Sequence, residues 1–181
     1  MTDTAHARGA IRVLSPTSED DWQEADLLIA ELKAWDLRQS QALGFDPDEV
    51  MSVFYPDDGD IRRDSARPDG CFLLARDAHL FLGCAAFRRL TSTACELYDV
   101  YVRPTSRGRG IGLLLLQQLI TEANAGGYHT MCLETAKFMH DAHRLYKSLQ
   151  FHVREPYRSI PVMFAEATMW MECRFSGQGS P

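Results

Sequence analysis

The chain has 181 residues, 45% of them hydrophobic and 24% charged, with a formal net charge of -6 at pH 7. That is long enough for one buried core and ordinary for a globular domain. The acidic balance argues against general nucleic-acid binding, and the longest apolar run, Ile111 to Leu116, is far too short to cross a bilayer.

Residues 1–9 lack the apolar centre of a signal peptide and read as disordered, as does the tail 176–181, which leaves a single domain over 10–175. "AIRVL" (10–14) reads as a first strand. Ser18 followed three residues later by Asp21 resembles a capping box, and the sequence from Glu19 reads helical until Gly44 and Pro47 break it. "PDEVMSVFY" is a second short helix and 56–70 a polar loop. Two strands, 71–76 and 80–90, meet at a tight turn over Asp77 to His79, and "ACELYDVYV" (94–102) is the next strand. A helix follows to about Ala125, with Leu115, Leu116, Leu119, Ile120 and Ala123 on one face, and Gly126-Gly127 stops it. "YHTMCLET" (128–135) is a strand. Asp141 can cap a helix to about Leu149 with Ala142, Leu145, Tyr146 and Leu149 as its stripe, and "FHVREPY" and "TMWMECRF" close the chain as strands. The order describes an α/β (α+β) domain, a mixed sheet with helices packed on it. Its five cysteines form no CxxC and sit in apolar surroundings, so they read as reduced core thiols of a cytoplasmic protein.

One stretch asks for more than packing. "VRPTSRGRGIGLLLL" puts Gly108, Gly110 and Gly112 between a strand and a helix. A helix N-terminus carries unpaired N–H groups and partial positive charge, and glycines let the backbone take positive φ and approach an anion closely. Arg107 and Arg109 can add full charges. The residues Arg107, Gly108, Arg109, Gly110, Ile111 and Gly112 therefore read as a cradle for a phosphate or pyrophosphate. A Walker A ending is missing, and Leu113 stands where the dinucleotide fingerprint needs its third glycine.

"YVRPTSRGRGIG" resembles the signature of the GNAT family of N-acetyltransferases, Gln/Arg-x-x-Gly-x-Gly/Ala, met here by Arg107, Gly110 and Gly112. "AHRLYKSLQF", about 35 residues on, is similar to the later A-x-x-L-Y-x-x-x-G-F element of that family. The sequence departs from the pattern at Gln150, where the family usually has glycine, and at Met139, where many members have a cofactor-touching asparagine.

The resemblance implies a mostly antiparallel central sheet of about six to seven strands, flanked by helices and splayed between the fourth and fifth strands. It implies acetyl-CoA as co-substrate and no metal. The diphosphate would lie on Arg107 to Gly112, and the pantetheine arm would run along Val100, Tyr101 and Val102. Tyr146 matches the tyrosine that protonates the leaving thiolate. An alkyl ammonium, with a pKa of about 10, must lose a proton before it attacks. Glu96 and Asp99 are the candidate bases on the central strand. Alternation puts them on opposite faces, with Glu96 beside Tyr98, Val100 and Val102, and Glu96 is preferred; Glu134 is the reserve. No cysteine has an evident histidine partner, which favours direct transfer in a ternary complex. His140 and His143, two potential ligands without a third, read as surface or cap residues. The acceptor would be a small-molecule or peptide amine, with Trp35, Phe54, Tyr55 and Tyr157 as candidate lining; no nucleic acid or membrane partner is expected, and a homodimer follows family habit. The alternative is a non-catalytic acyl-CoA sensor on the same scaffold.

Overall fold

A computed structural model describes residues 10–55, 61–78 and 80–175. The element order is β1 (Arg12–Leu14), α1 (Glu19–Ala42), α2 (Pro47–Phe54), α3 (Ile61–Asp64), β2 (Cys71–Arg76), β3 (Phe81–Arg89), β4 (Ala94–Val102), α4 (Ile111–Ala125), β5 (Thr130–Ala136), α5 (His140–Ser148), β6 (His152–Val153), α6 (Val162–Ala165) and β7 (Thr168–Arg174). The strands form one sheet in the order β1-β2-β3-β4-β5-β7-β6. Every neighbouring pair is antiparallel except β4–β5.

That parallel pair is short. It runs from Ala94↔Thr130 to Glu96↔Cys132 and stops, although β4 continues to Val102 and β5 to Ala136. The sheet is thus splayed between its fourth and fifth strands, as the resemblance implied. Past Glu96, β4 has a free backbone edge.

Two cores sandwich the sheet. On one face Ile111, Leu115, Leu116 and Leu119 of α4 and Tyr146 of α5 pack on Cys95, Leu97, Leu133 and Met171. On the other, Ala25, Leu28, Ile29 and Leu32 of α1 pack on Phe72, Leu74, Ala86 and Tyr101. The Ser18 capping box starts α1 as expected: the Ser18 hydroxyl accepts from Asp21 N–H at 3.1 Å and Asp21 answers at Ser18 N–H, also at 3.1 Å.

The structure corrects the alternation assigned to β4. Cys84 pairs with Tyr101 and Ala86 with Tyr98, so Ala85 alone opposes Asp99 and Val100. This is a β-bulge, with Asp99 at φ 51°. The extra residue reverses the side-chain parity. Val100 and Val102 join the α4 core, whereas Tyr98 faces α1. Glu96 therefore does not share a face with Val100 and Val102, and Asp99 is not turned away from Glu96; both carboxylates line the same cavity.

Smaller differences have local causes. Strand β5 begins at Thr130 rather than 128, because Tyr128 packs edge-on against Phe87 and donates its hydroxyl to Asp69 O at 2.9 Å. Only His152–Val153 of "FHVREPY" is strand; the chain then crosses the sheet as a strap over 154–161, bounded by Pro161, into α6, which the sequence reading missed. The loop reading of 56–70 gives way to α3 in part. Residues 1–9, 56–60, His79 and 176–181 lie outside the described residues, and with them the expected disorder of both ends. Among the described residues no helix is long and apolar enough to cross a membrane.

Candidate active site

The glycine turn is shaped by the residues the sequence put there. Gly108 and Gly110 sit at φ 75° and 77°, in the left-handed region that side chains avoid, and a Cβ at either would point into open space. Gly110 is the N-cap of α4 and has no side chain to offer the first-turn amides. Helices α1 and α2 differ: Ser18 caps the first, and Asp46 caps the second by accepting from Asp48 N–H at 2.9 Å and Glu49 N–H at 3.1 Å. The amides at the start of α4 are thus left for an external acceptor, a fit for a phosphate group. Gly112 has a separate task. A Cβ there would meet Leu145 Cδ2 at 3.0 Å, so its bareness lets α4 approach α5. Ile111 is buried in the core and can contribute only backbone.

The two arginines of the turn are already engaged. Arg107 donates from Nε to Val102 O at 3.1 Å and lies over the Trp35 ring, 5.7 Å from its centre. Arg109 pairs with Asp77 at 3.6 Å. Along the free edge of β4, Arg103 N–H donates to Leu82 O at 2.9 Å, so two residues earlier Tyr101 also turns its backbone groups toward β3. Val100 and Val102 turn theirs away from β3, the Val102 carbonyl already accepting from Arg107. The expected three-residue edge narrows to these two.

Where β4 and β5 part, a cavity of about 280 Å³ opens, lined by Ile29, Leu32 and Trp35 of α1 and by Leu97, Leu133 and Tyr146 of the opposite core. Five carboxylates line it: Asp36, Asp64, Glu96, Asp99 and Glu134. Glu96 is buried and doubly held, by Arg88 at 2.8 Å and by the Tyr157 hydroxyl at 2.7 Å. Glu134 accepts from Arg158 Nε at 3.0 Å. The strap thus pins the cavity from both sides of the splay. Asp64 pairs with Arg63 at 3.1 Å. Asp36 accepts from the Tyr55 hydroxyl at 3.2 Å, and burial raises its pKa. Asp99 makes no side-chain hydrogen bond among the described residues; burial pushes its pKa up to about 6, against the opposing pull of Lys33 and Arg88.

Tyr146 lies in the same wall, on α5, with its pKa pushed up to about 12 by burial. It is 6% exposed, packs against Phe151 at 5.8 Å, and its hydroxyl bonds no other described residue. The five thiols are all buried, none lines the cavity, and burial raises the pKa of each, to about 11 at Cys71 and about 12 at Cys95. His143 is buried rather than at the surface, bonded through Nε2 to Ala136 O at 3.1 Å, with its pKa lowered by burial. Asp141 does not cap α5: the N-cap is Met139, which offers no side-chain bond, and Asp141 pairs with Arg144. Among the described residues no group of three His, Cys, Asp or Glu is arranged to hold a metal ion. Gln150 takes φ 66°, the conformation a glycine would adopt, and the helix end is closed by Phe151 N–H on Tyr146 O at 3.0 Å.

Of the aromatic residues expected at the acceptor site, Trp35, Phe54 and Tyr55 line the cavity, while Tyr157 acts behind it through Glu96. Sequence reasoning missed Lys33, Asp36, Arg88 and Phe164. Asp36 left one trace: it continues the buried stripe of Ile29 and Leu32 at helical spacing, an acid on an apolar face.

The uncapped start of α4 lies behind the splayed parallel pair, next to the acidic and aromatic cavity. The sequence profile of the Acetyltransferase (GNAT) family matches residues 29–151. The chain belongs to that family. It is 41% identical over 97 residues to an uncharacterized N-acetyltransferase of Schizosaccharomyces pombe, a match spanning 52% of this chain and only 60% of that relative. It is 32% identical over 114 residues to IAA acetyltransferase of Azospirillum brasilense, spanning 61% of this chain and 74% of the relative. The fold is similar to that of PaiA N-acetyltransferase from Thermoplasma acidophilum in complex with coenzyme A, with a TM-score of 0.69 and 16% identity over 92% of this chain and 99% of that one.

Proposed function

We propose that the chain is an acetyl-CoA-dependent N-acetyltransferase that moves the acetyl group directly onto a primary amine with both substrates bound. One observation carries this reading: the free edge of β4 joins the uncapped start of α4 to the cavity that holds Asp99 and Tyr146. The coenzyme A complex of the structural relative supports the choice of carrier.

Acetyl-CoA, as substrate, supplies the thioester. The amides from Gly108 to Gly112, with Arg107 and Arg109, would hold its diphosphate. The outward backbone groups of Val100 and Val102 would hold the arm, and an amide of this edge would stabilise charge on the acetyl oxygen. Asp99 takes a proton from the acceptor ammonium; with a pKa of about 6 it is ionised at neutral pH yet basic enough to accept one. The freed amine attacks the carbonyl carbon, the C–N bond forms and the C–S bond breaks. Tyr146 gives its proton to the departing sulfur, and the second proton shed by the nitrogen restores the phenol. Glu96, clamped by Arg88 and Tyr157, is better placed to position these groups than to shuttle protons. Buried thiols with raised pKa values leave no ready cysteine nucleophile, which favours the ternary route, and their free state suits a cytoplasmic enzyme.

The test is thiol release from acetyl-CoA in the presence of amines, with Asp99→Asn and Glu96→Gln measured across pH. The reading expects amine-dependent release, with the acid limb of kcat/KM lost in Asp99→Asn and kept in Glu96→Gln. Tight CoA binding with no release on any amine contradicts it.

A further inference from the structure

The acceptor cavity carries a more specific message, which rests on the acetyltransferase reading. Three of its five carboxylates are tied to arginines: Glu96 to Arg88, Glu134 to Arg158 and Asp64 to Arg63. Asp36 and Asp99 form no direct ion pair with an arginine among the described residues, although Lys33 and Arg88 both pull on Asp99. Both carboxylates act on Tyr55: Asp36 accepts its hydroxyl at 3.2 Å, and the charge of Asp99 reaches the same phenol. The face of that ring already carries an ammonium, since Lys33 Nζ lies 5.3 Å from its centre. Lys33 thus answers one of the two carboxylates, and the remaining charge is left for one alkylammonium group beside the phenol.

The wall beyond the seat is of another kind. Phe164 packs against Phe45 at 5.1 Å and edge-on against Phe54 at 5.4 Å, and Trp35 lies 6.4 Å from Phe138. A second ammonium placed there would be stripped of water beside phenyl rings, where Arg158 already lies over the Phe54 ring, 5.7 Å from its centre, and holds the Glu134 carboxylate. A carboxylate on the acceptor would face an acidic cavity whose two lining cations among the described residues are engaged, Arg88 by Glu96 and Lys33 over the Tyr55 ring.

We propose that the acceptor is a primary monoamine whose cationic end is seated by Asp36, Tyr55 and Asp99 and whose body is apolar and flat, of the arylalkylamine type, rather than an amino acid, a polyamine or a peptide. Asp36 is then a specificity-determining residue for the amine.

Matched acceptors test this: 2-phenylethylamine, phenylalanine (the same body with a carboxylate), putrescine, spermidine and a lysine-containing peptide, each with acetyl-CoA and the full chain. The proposal expects kcat/KM for 2-phenylethylamine to exceed each of the others by about 10-fold or more. Equal or better turnover of phenylalanine, a polyamine or the peptide overturns it while leaving the acetyltransferase reading intact. No turnover of any acceptor by a chain that binds CoA overturns both. In Asp36→Asn the KM for 2-phenylethylamine should rise about 10-fold with the KM for acetyl-CoA unchanged, and Asp36→Glu should restore part of the loss. Equal changes in both KM values would mark Asp36 as structural and overturn its assigned role.

Discussion

Arg107 links the glycine turn to the cavity: its guanidinium lies 5.7 Å from the centre of the Trp35 ring, and Trp35 lines the cavity proposed for the acceptor. A diphosphate bound at the start of α4 competes for that guanidinium, so the surroundings of Trp35 change on binding. Titration with CoA should give a saturable change in tryptophan fluorescence that disappears in Trp35→Phe, although Trp22 and Trp170 remain. A change that persists in that variant would break the link. Arg107→Ala should weaken CoA binding about 10- to 100-fold, as expected for a lost charge-assisted hydrogen bond of about 1.5–3 kcal/mol.

Asp99 makes stability depend on pH. Burial raises its pKa from 3.8 to about 6, so between roughly pH 4 and 6 the folded chain holds a proton that the unfolded chain has lost. The contribution of this group to stability is therefore best in acid and falls as pH rises through that window. Asp99→Asn should raise the unfolding free energy at about pH 7.5 by up to roughly 3 kcal/mol, with the gain vanishing near pH 4. Denaturant titrations at the two pH values check it. A gain that does not depend on pH would remove Asp99 titration as its cause.

Tyr146→Phe separates chemistry from packing. Tyr146 is a buried residue whose hydroxyl bonds no other described residue, so losing that hydroxyl should leave the melting temperature nearly unchanged. If the phenol is the acid, kcat falls about 100-fold while the Kd for CoA holds. Wild-type turnover in the variant would assign Tyr146 to the core alone.

Two backbone positions with positive φ predict opposite outcomes. Gly110→Ala places a side chain at φ 77° and should cost about 1 kcal/mol, or about 3 °C in Tm. Gln150→Gly relieves φ 66° at the end of α5 and should stabilise by a similar amount, about 1 kcal/mol. Thermal melts of both variants decide; a loss at both positions would mean that Gln150 contributes through its side chain.

The parts of this site that could be read from sequence are those fixed by local rules. Three glycines after a strand announced the turn, Ser18 with Asp21 announced α1, and the leucines of α4 announced its buried face. The bulge could not be read the same way, because strict alternation along "CELYDVYV" gives no sign of where a residue is added. The one clue was an aspartate in mid-strand, a residue type that tolerates the left-handed region better than most. That added residue decided which carboxylates share the cavity. Arg88 and Arg158 were invisible for another reason: their partners Glu96 and Glu134 lie 8 and 24 residues away, met across β3 and β4 in the first case and from the 154–161 segment in the second. Gly112 was legible as part of the turn, but its packing on Leu145 depends on where α5 comes to rest.

The most direct test of the account is the affinity of the Gly110→Asp variant for CoA, measured by calorimetry beside the wild type and with folding confirmed by circular dichroism. A carboxylate set at the uncapped start of α4 should repel the diphosphate and weaken binding by about 100-fold or more, near 2.7 kcal/mol. A folded variant that binds CoA as tightly as the wild type would contradict the placement of the carrier on this turn, and with it the assignment of the neighbouring cavity to the acceptor.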